Sequence, residues 1–173
     1  MTRGVWEQGS YSLRNSSKYI GKKKPEYKSN LEKRVMYYLD SNTNVLRWAY
    51  ENFKVKYFFL GDGKYHDYYP DFYAEVINQY GRTKKFLIEV KSLKEIPEDY
   101  LMEMYSSEIN NPEFKKILLK EPKKKTLKAK ENYNRRRLTI IKNKAKFDAA
   151  REFCKDLEME FKIITENEIN KMF

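Results

Sequence analysis

The run Phe86-Leu87-Ile88-Glu89-Val90-Lys91 constrains the fold of this chain more than any other segment. Three contiguous apolar side chains leave no polar face, so the run reads as a central strand covered on both sides. Glu89 and Lys91 then stand at the end of a buried strand, where charge costs free energy unless it is used. Because side chains alternate along a strand, Glu89 and Lys91 share one face while Val90 points to the other, into the core.

The neighbouring pattern supplies a sheet around this strand and helices on its flanks. Alternation predicts strands over 45–50, 54–60, 65–76 and 84–91, with Gly61-Asp62-Gly63 as a hairpin turn and a second turn at 78–82. Ser29 followed by Glu32 is a capping-box pattern. Leu31, Val35, Tyr38 and Leu39 then recur on one face, which predicts a helix over 30–40. Past Pro97 the pattern turns helical and charged. It predicts helices near 98–109, 113–120 and 124–138 with Pro112 and Pro122 as breakers, and another over 144–158 carrying Phe147, Ala150, Phe153, Cys154 and Leu157 on one face. A short strand over 161–164 and a helix capped by Thr165 and Glu168 close the chain. Residues 1–28 are polar and basic and read as an arm; residues 29–173 read as one α/β domain containing a basic helical region over 97–142.

Charge points to the partner. Lys and Arg outnumber Asp and Glu by 36 to 25, and a formal charge of +11 draws polyanions before any specific contact forms. Residues 122–146 hold eleven Lys or Arg against Glu131 alone, a net of +10. A solvated helical face would explain such a run. A single sign of charge with Tyr133 inside it favours phosphate contact, through Lys123, Lys124, Lys125, Lys128, Lys130, Arg135, Arg136 and Arg137. No apolar run is long enough to span a bilayer and no signal-peptide pattern opens the chain, so a soluble, cytoplasmic protein is expected. Cys154 and His66 are single, which excludes an internal disulfide and a zinc site built from several Cys or His, and leaves Cys-His and Ser-His-Asp catalysis without support.

Oxygen ligands remain. Pro70-Asp71 is expected within the strand that pairs with the one ending at Glu89-Val90-Lys91, so the three polar side chains would meet. Asp71, Glu89 and the Val90 carbonyl make an oxygen cage suited to Mg2+ or Mn2+. Lys91 would position a water or stabilise the transition state of phosphodiester hydrolysis. A structural reading stays open for the same residues: Asp71 capping a bulge at Pro70, and Glu89 with Lys91 as an exposed ion pair of little energetic value. For Glu32, capping alone is sufficient, but its apolar neighbours Val35, Met36 and Leu39 put its carboxylate at the margin of the buried face, within reach of the same site.

These residues resemble the PD-(D/E)xK nuclease superfamily: Glu32 on the first helix, Pro70-Asp71 on one strand, Glu89-Val90-Lys91 on the next. More narrowly the chain is similar to the head-completion nucleases of tailed myophages. The carrying segments are Tyr27 to Lys33, Tyr69-Pro70-Asp71-Phe72, Phe86 to Lys91, Asn143 to Ala150 and Phe161 to Glu166, in that order. The resemblance implies a restriction-endonuclease-like core, a mixed β-sheet flanked by helices, with the basic helical region as an insertion. It implies Glu32, Asp71, Glu89 and Lys91 as the catalytic set, with Asn143 and Lys146 as auxiliary or DNA-contacting residues. A lysine beside Phe147 and Ala150 also fits a simple helix-flank residue. One or two Mg2+ (or Mn2+) ions, DNA as substrate, phage portal or neck proteins as partners, and action in the infected host's cytoplasm or in the virion follow from the same resemblance. Little sequence specificity is expected, since backbone and stacking contacts tolerate any sequence. Two alternatives stay open: a structural DNA-binding head protein without turnover, and a junction-resolving or transposon-type nuclease.

Overall fold

The computed structural model describes residues 8–107, 116, 118, 120–122 and 126–172. Its centre is a four-stranded mixed sheet in the order β3-β6-β7-β8, formed by β3 (Val45–Tyr50), β6 (Phe72–Ile77), β7 (Thr83–Val90) and β8 (Glu160–Ile164). The β3–β6 and β6–β7 pairs are antiparallel and β7–β8 is parallel. The apolar run of β7 thus occupies an interior strand, as its lack of alternation requires.

Helices cover both faces. On one side lies α1 (Asn30–Ser41), whose start is the expected capping box: the Ser29 hydroxyl accepts from the Glu32 amide at 3.1 Å. Its Val35, Met36 and Leu39 pack on Trp48, Phe72, Ile88 and Val90, so Val90 enters the core as strand alternation predicts. On the other side lies α3 (Leu127–Asp156), whose Ala150 and Cys154 pack on Leu87, Val55, Tyr57 and Tyr68. Phe147 joins Ile163 and residues of α2 (Glu98–Met104). Each large apolar side chain so buried contributes about 1.5–3 kcal/mol. The last helix, α4 (Glu166–Met172), starts at Thr165, whose hydroxyl accepts from the Asn167 amide while Glu168 reaches back to the Thr165 amide at 2.9 Å.

A separate hairpin of β4 (Val55–Phe59) and β5 (Lys64–Tyr68) turns at Gly61-Asp62-Gly63, where Gly63 takes φ +66°. The segment read as an arm is described from residue 8 onward. Its strands β1 (Gly9–Ser10) and β2 (Glu26–Tyr27) pair with each other, Tyr19 bridges to Trp48, and buried Asp40 accepts from the amides of Arg14 and Asn15. The described part of this segment is therefore fastened to α1 and β3.

Two further differences bear on the site. The single strand expected over 65–76 is divided into β5 and β6 by Tyr69-Pro70-Asp71, because proline cannot supply a ladder amide. Helices expected over 124–138 and 144–158 form one helix of 30 residues; the β-branched run Thr139-Ile140-Ile141 weakens helix propensity without interrupting it. The basic region expected over 97–142 thus takes in α2 and the first half of α3, with much of the span between them outside the described residues. Helix 98–109 is shorter than expected, and the helix expected over 113–120 falls almost wholly outside the described residues.

Candidate active site

The register of β6 on β7 brings the chemistry together. Phe72 opposes Ile88 and Tyr73 opposes Leu87, so one step further places Asp71 against Glu89 just before β6 begins. Phe72 points to the α1 side, hence Asp71 lies on the α3 side with Glu89. Freed from the ladder by the break at Pro70, the Asp71 carboxylate accepts the Val90 amide at 2.7 Å. The Lys91 amide donates instead to Ile164 of β8, so the amide and carbonyl of Val90 both face the Asp71 side.

Glu89 is 2% exposed and has two partners: the Tyr68 hydroxyl donates to it at 2.6 Å, and the Lys91 ammonium pairs with its other oxygen at 3.0 Å. Burial pushes the Asp71 carboxyl well above the ordinary carboxylate range; the charges of Glu89 and Glu32 add to this and Lys91 opposes it. Burial alone would lower Lys91, but Glu89 and Asp71 outweigh it and raise its pKa. Burial likewise raises Tyr68, reinforced by Glu89. The ion pair expected under the structural reading does exist, but it is inside the protein, which a purely structural pair gains little from.

Around this centre the predicted residues fall differently. Glu32 is close enough for its charge to act on Asp71, yet both of its oxygens serve the cap, accepting from the Ser29 hydroxyl at 3.0 Å and the Lys28 amide at 2.8 Å. Lys146 lies with its ammonium 5.0 Å from the centre of the Tyr68 ring, half-buried, its pKa lowered first by burial and then by Lys91 and Lys142 against the pull of Glu89. Asn143, expected to touch DNA, is turned inward; its amide donates to the Glu95 carbonyl at 2.9 Å and so ties α3 to the turn that follows Lys91. Lys128, Lys130, Arg135 and Arg137 are exposed on the first half of α3, and Arg136 donates to the Lys94 carbonyl at 3.1 Å. Lys123, Lys124 and Lys125 lie outside the described residues. The buried residues of α3 begin at Asn143, and its first 16 residues, about 24 Å of helix, carry these cations.

Two residues were not anticipated. Tyr68 becomes visible only once Pro70 is taken as a strand end, which frees Tyr68 to face Glu89. Glu51, at φ 41°, donates its amide to the Asp71 carbonyl at 3.0 Å and pairs with Lys23 and Lys28, so it holds the Asp71 backbone from a strained position.

Among the described residues, no three His, Cys, Asp or Glu side chains gather into a metal-binding group. A cation here would take Asp71, Glu89 and the Val90 carbonyl, with water completing its shell, a donor set suited to Mg2+ or Mn2+. Lys91 pairs with Glu89, while the Asp71 carboxylate takes only the Val90 amide among its described hydrogen bonds, so a cation would find a carboxylate there to hold.

A mixed sheet flanked by helices, with Asp, Glu and Lys converging where two of its strands end, defines a nuclease core of the restriction-endonuclease type. The chain belongs to the TnsA-like endonuclease N-terminal family, whose model matches residues 42–166. The match takes in Asp71, Glu89 and Lys91 and leaves Glu32 outside. The chain is also similar to the head completion nuclease of Enterobacteria phage T4, 28% identical over 160 residues, which is 92% of this chain and 91% of that protein. Comparison with solved structures gives no match.

Proposed function

We propose that this chain is a divalent-metal-dependent DNA endonuclease with little sequence preference, acting in the completion of phage heads after DNA packaging. The convergence of Asp71, Glu89 and Lys91 beside the Val90 backbone carries the reading. Similarity to the phage T4 head completion nuclease supports the setting, in which portal or neck proteins are the proposed partners.

Asp71, Glu89 and the Val90 carbonyl would hold Mg2+ or Mn2+, which when bound lowers the pKa of water and offsets charge on a phosphodiester. The remaining work belongs to side chains. Tyr68 fixes one oxygen of Glu89, so the carboxylate is oriented before substrate arrives. Lys91 is protonated at neutral pH, so it donates: it orients the attacking water and stabilises negative charge gathering on the phosphate oxygens. The water oxygen bonds to phosphorus as a phosphorus–oxygen bond to deoxyribose breaks, and the proton released by the water is balanced by protonation of the departing oxygen. Lys146 and the exposed cations of α3 hold the strand through its phosphates, contacts that carry no base information.

The family match favours one further reading, a transposon-type nuclease that cuts branched or end-bearing DNA as a stable dimer. Incubating the protein with closed circular, linear and branched DNA in Mg2+, Mn2+ or a chelator separates them. Opening of circles in metal alone supports the proposal. Cutting confined to branched or end-bearing DNA favours the second reading, and no cleavage of any substrate rejects both.

A further inference from the structure

Two lysines of the N-terminal segment close on the backbone next to Asp71. The Glu51 carboxylate pairs with Lys23 at 3.0 Å and with Lys28 at 2.7 Å, and the Tyr50 hydroxyl donates to it at 3.1 Å. Burial alone would raise the Glu51 carboxyl, but bonds from Lys28 and Lys23 outweigh it and keep its pKa below the ordinary value, so the group is charged at neutral pH. The same lysines touch the surroundings of Asp71 twice more. The Lys23 ammonium lies 4.8 Å from the centre of the Tyr69 ring, two residues before Asp71, and the Lys28 amide donates to Glu32 at 2.8 Å.

At φ 41° Glu51 occupies a region that a residue with a Cβ holds only where its surroundings fix it. Two of the three groups on its carboxylate come from the N-terminal segment. From that conformation its amide donates to the Asp71 carbonyl at 3.0 Å, one step past the pairing of Tyr50 with Phe72. The Asp71 backbone is therefore set from the Glu51 side and its carboxylate from the Val90 side. The lysine side chains are 53% and 61% exposed, so their pairs add little to folding. Positioning is more sensitive, since a shift of about 1 Å at a reacting group changes rate by roughly a hundredfold. Both lysines precede residue 42, where the family match begins, whereas Glu51 and Asp71 lie within it.

We infer that Lys23, Lys28 and Glu51 are positioning residues for the nuclease reaction, acting through Asp71, whose carboxylate they hold where it takes a divalent cation. The inference rests on the nuclease reading above, since it needs Asp71 as a metal ligand. Charge and position make opposite predictions for the lysines. As bare charges they repel a cation, so their removal would tighten its binding. As parts of a clasp on Asp71 they favour it, so their removal weakens binding.

The test uses the full chain without DNA and follows Mn2+ binding by the electron paramagnetic resonance of the free ion, counting the binding that Asp71→Asn abolishes. Lys23→Gln with Lys28→Gln changes two exposed side chains, and thermal melting verifies folding. Mn2+ affinity is expected to fall about tenfold in this variant. Lys23→Arg with Lys28→Arg, which keeps both charges on Glu51, is expected to bind as native protein does. In a Glu51→Gln background the lysine changes should have no further effect, because they act through Glu51. Unchanged or tighter Mn2+ binding by the folded Gln variant overturns the inference, as does an equal loss in the Arg variant or a full further loss in the Glu51→Gln background. The nuclease reading fails separately: native protein that neither binds Mn2+ at Asp71 nor cuts closed circles in metal removes both the reading and the clasp. Native binding and cutting beside an unaltered Gln variant removes the clasp alone.

Discussion

Replacing Asp40 by Ala removes a fully buried carboxylate that fastens the N-terminal segment to α1. It accepts from the Arg14 amide at 2.7 Å, the Asn15 amide at 3.1 Å and the Tyr11 hydroxyl at 3.2 Å. Hydrogen bonds to a charged acceptor contribute about 1.5–3 kcal/mol each, so the two amide bonds together contribute about 3–6 kcal/mol. Arg14 and Asn15 are exposed residues whose amides can partly rehydrate, which brings the net loss to about 3 kcal/mol. For a chain of this size that is a fall in Tm of roughly 6–12 °C. Asp40→Asn discriminates charge from shape: its amide nitrogen would face a donor, so most of the same loss is expected. Urea unfolding followed by circular dichroism gives the magnitude, and limited proteolysis shows whether residues 8–28 are attacked first. A loss below about 1 kcal/mol for Asp40→Ala, the range of ordinary surface changes, or an Asp40→Asn protein as stable as native, refutes the fastening.

Other outcomes follow from the site. Tyr68→Phe loses the bond that orients Glu89 and should weaken the apparent Mg2+ affinity about 10- to 100-fold in a cleavage titration, while DNA binding in chelator is unchanged. Added Mg2+ should raise the Tm of native protein and leave Asp71→Asn flat; a parallel rise in both contradicts the ligand assignment. Because burial and Glu89 raise the Asp71 pKa, the native state holds its proton more tightly than the unfolded chain. Metal-free stability should therefore decline as pH rises above the ordinary carboxylate range, and urea unfolding of Asp71→Asn should lose that part of the decline. Asn143→Ala should cost about 1–3 kcal/mol with DNA affinity unchanged, since its amide is spent on the Glu95 carbonyl. Lys130→Ala with Arg137→Ala should do the reverse, lowering the salt slope on duplex DNA by about 1.8 with stability unchanged.

The part of the site carried by β7 was legible because local pattern determines it. An apolar run without alternation marks an interior strand, and alternation then assigns Glu89 and Lys91 to one face and Val90 to the other. The capping boxes at Ser29 and Thr165 were legible for the same reason, since each is complete within four residues. Asp71 was found but misplaced, because alternation across 65–76 conceals the break that Pro70 imposes; that break releases the Asp71 carboxylate and turns Tyr68 toward Glu89. The continuity of α3 was hidden by Thr139-Ile140-Ile141, whose weak helix propensity is overridden by packing of Phe147, Ala150 and Cys154 beyond it. Asn143 was taken for a DNA contact because polarity alone does not reveal burial; its partner is 48 residues away in sequence. The charge of residues 1–28 suggested an arm; the bonds that seat its described part run to Asp40 and Trp48, which no local pattern links to it.

The most direct measurement of the central claim compares cleavage of closed circular DNA in Mg2+ by native protein, Asp71→Asn and Glu89→Gln, each shown by melting to be folded and by anisotropy to bind DNA. One shared site for Asp71, Glu89 and Lys91 predicts that both variants bind DNA and that neither cuts it. Native-rate cutting by either folded variant would contradict the account and place the chemistry elsewhere on the chain.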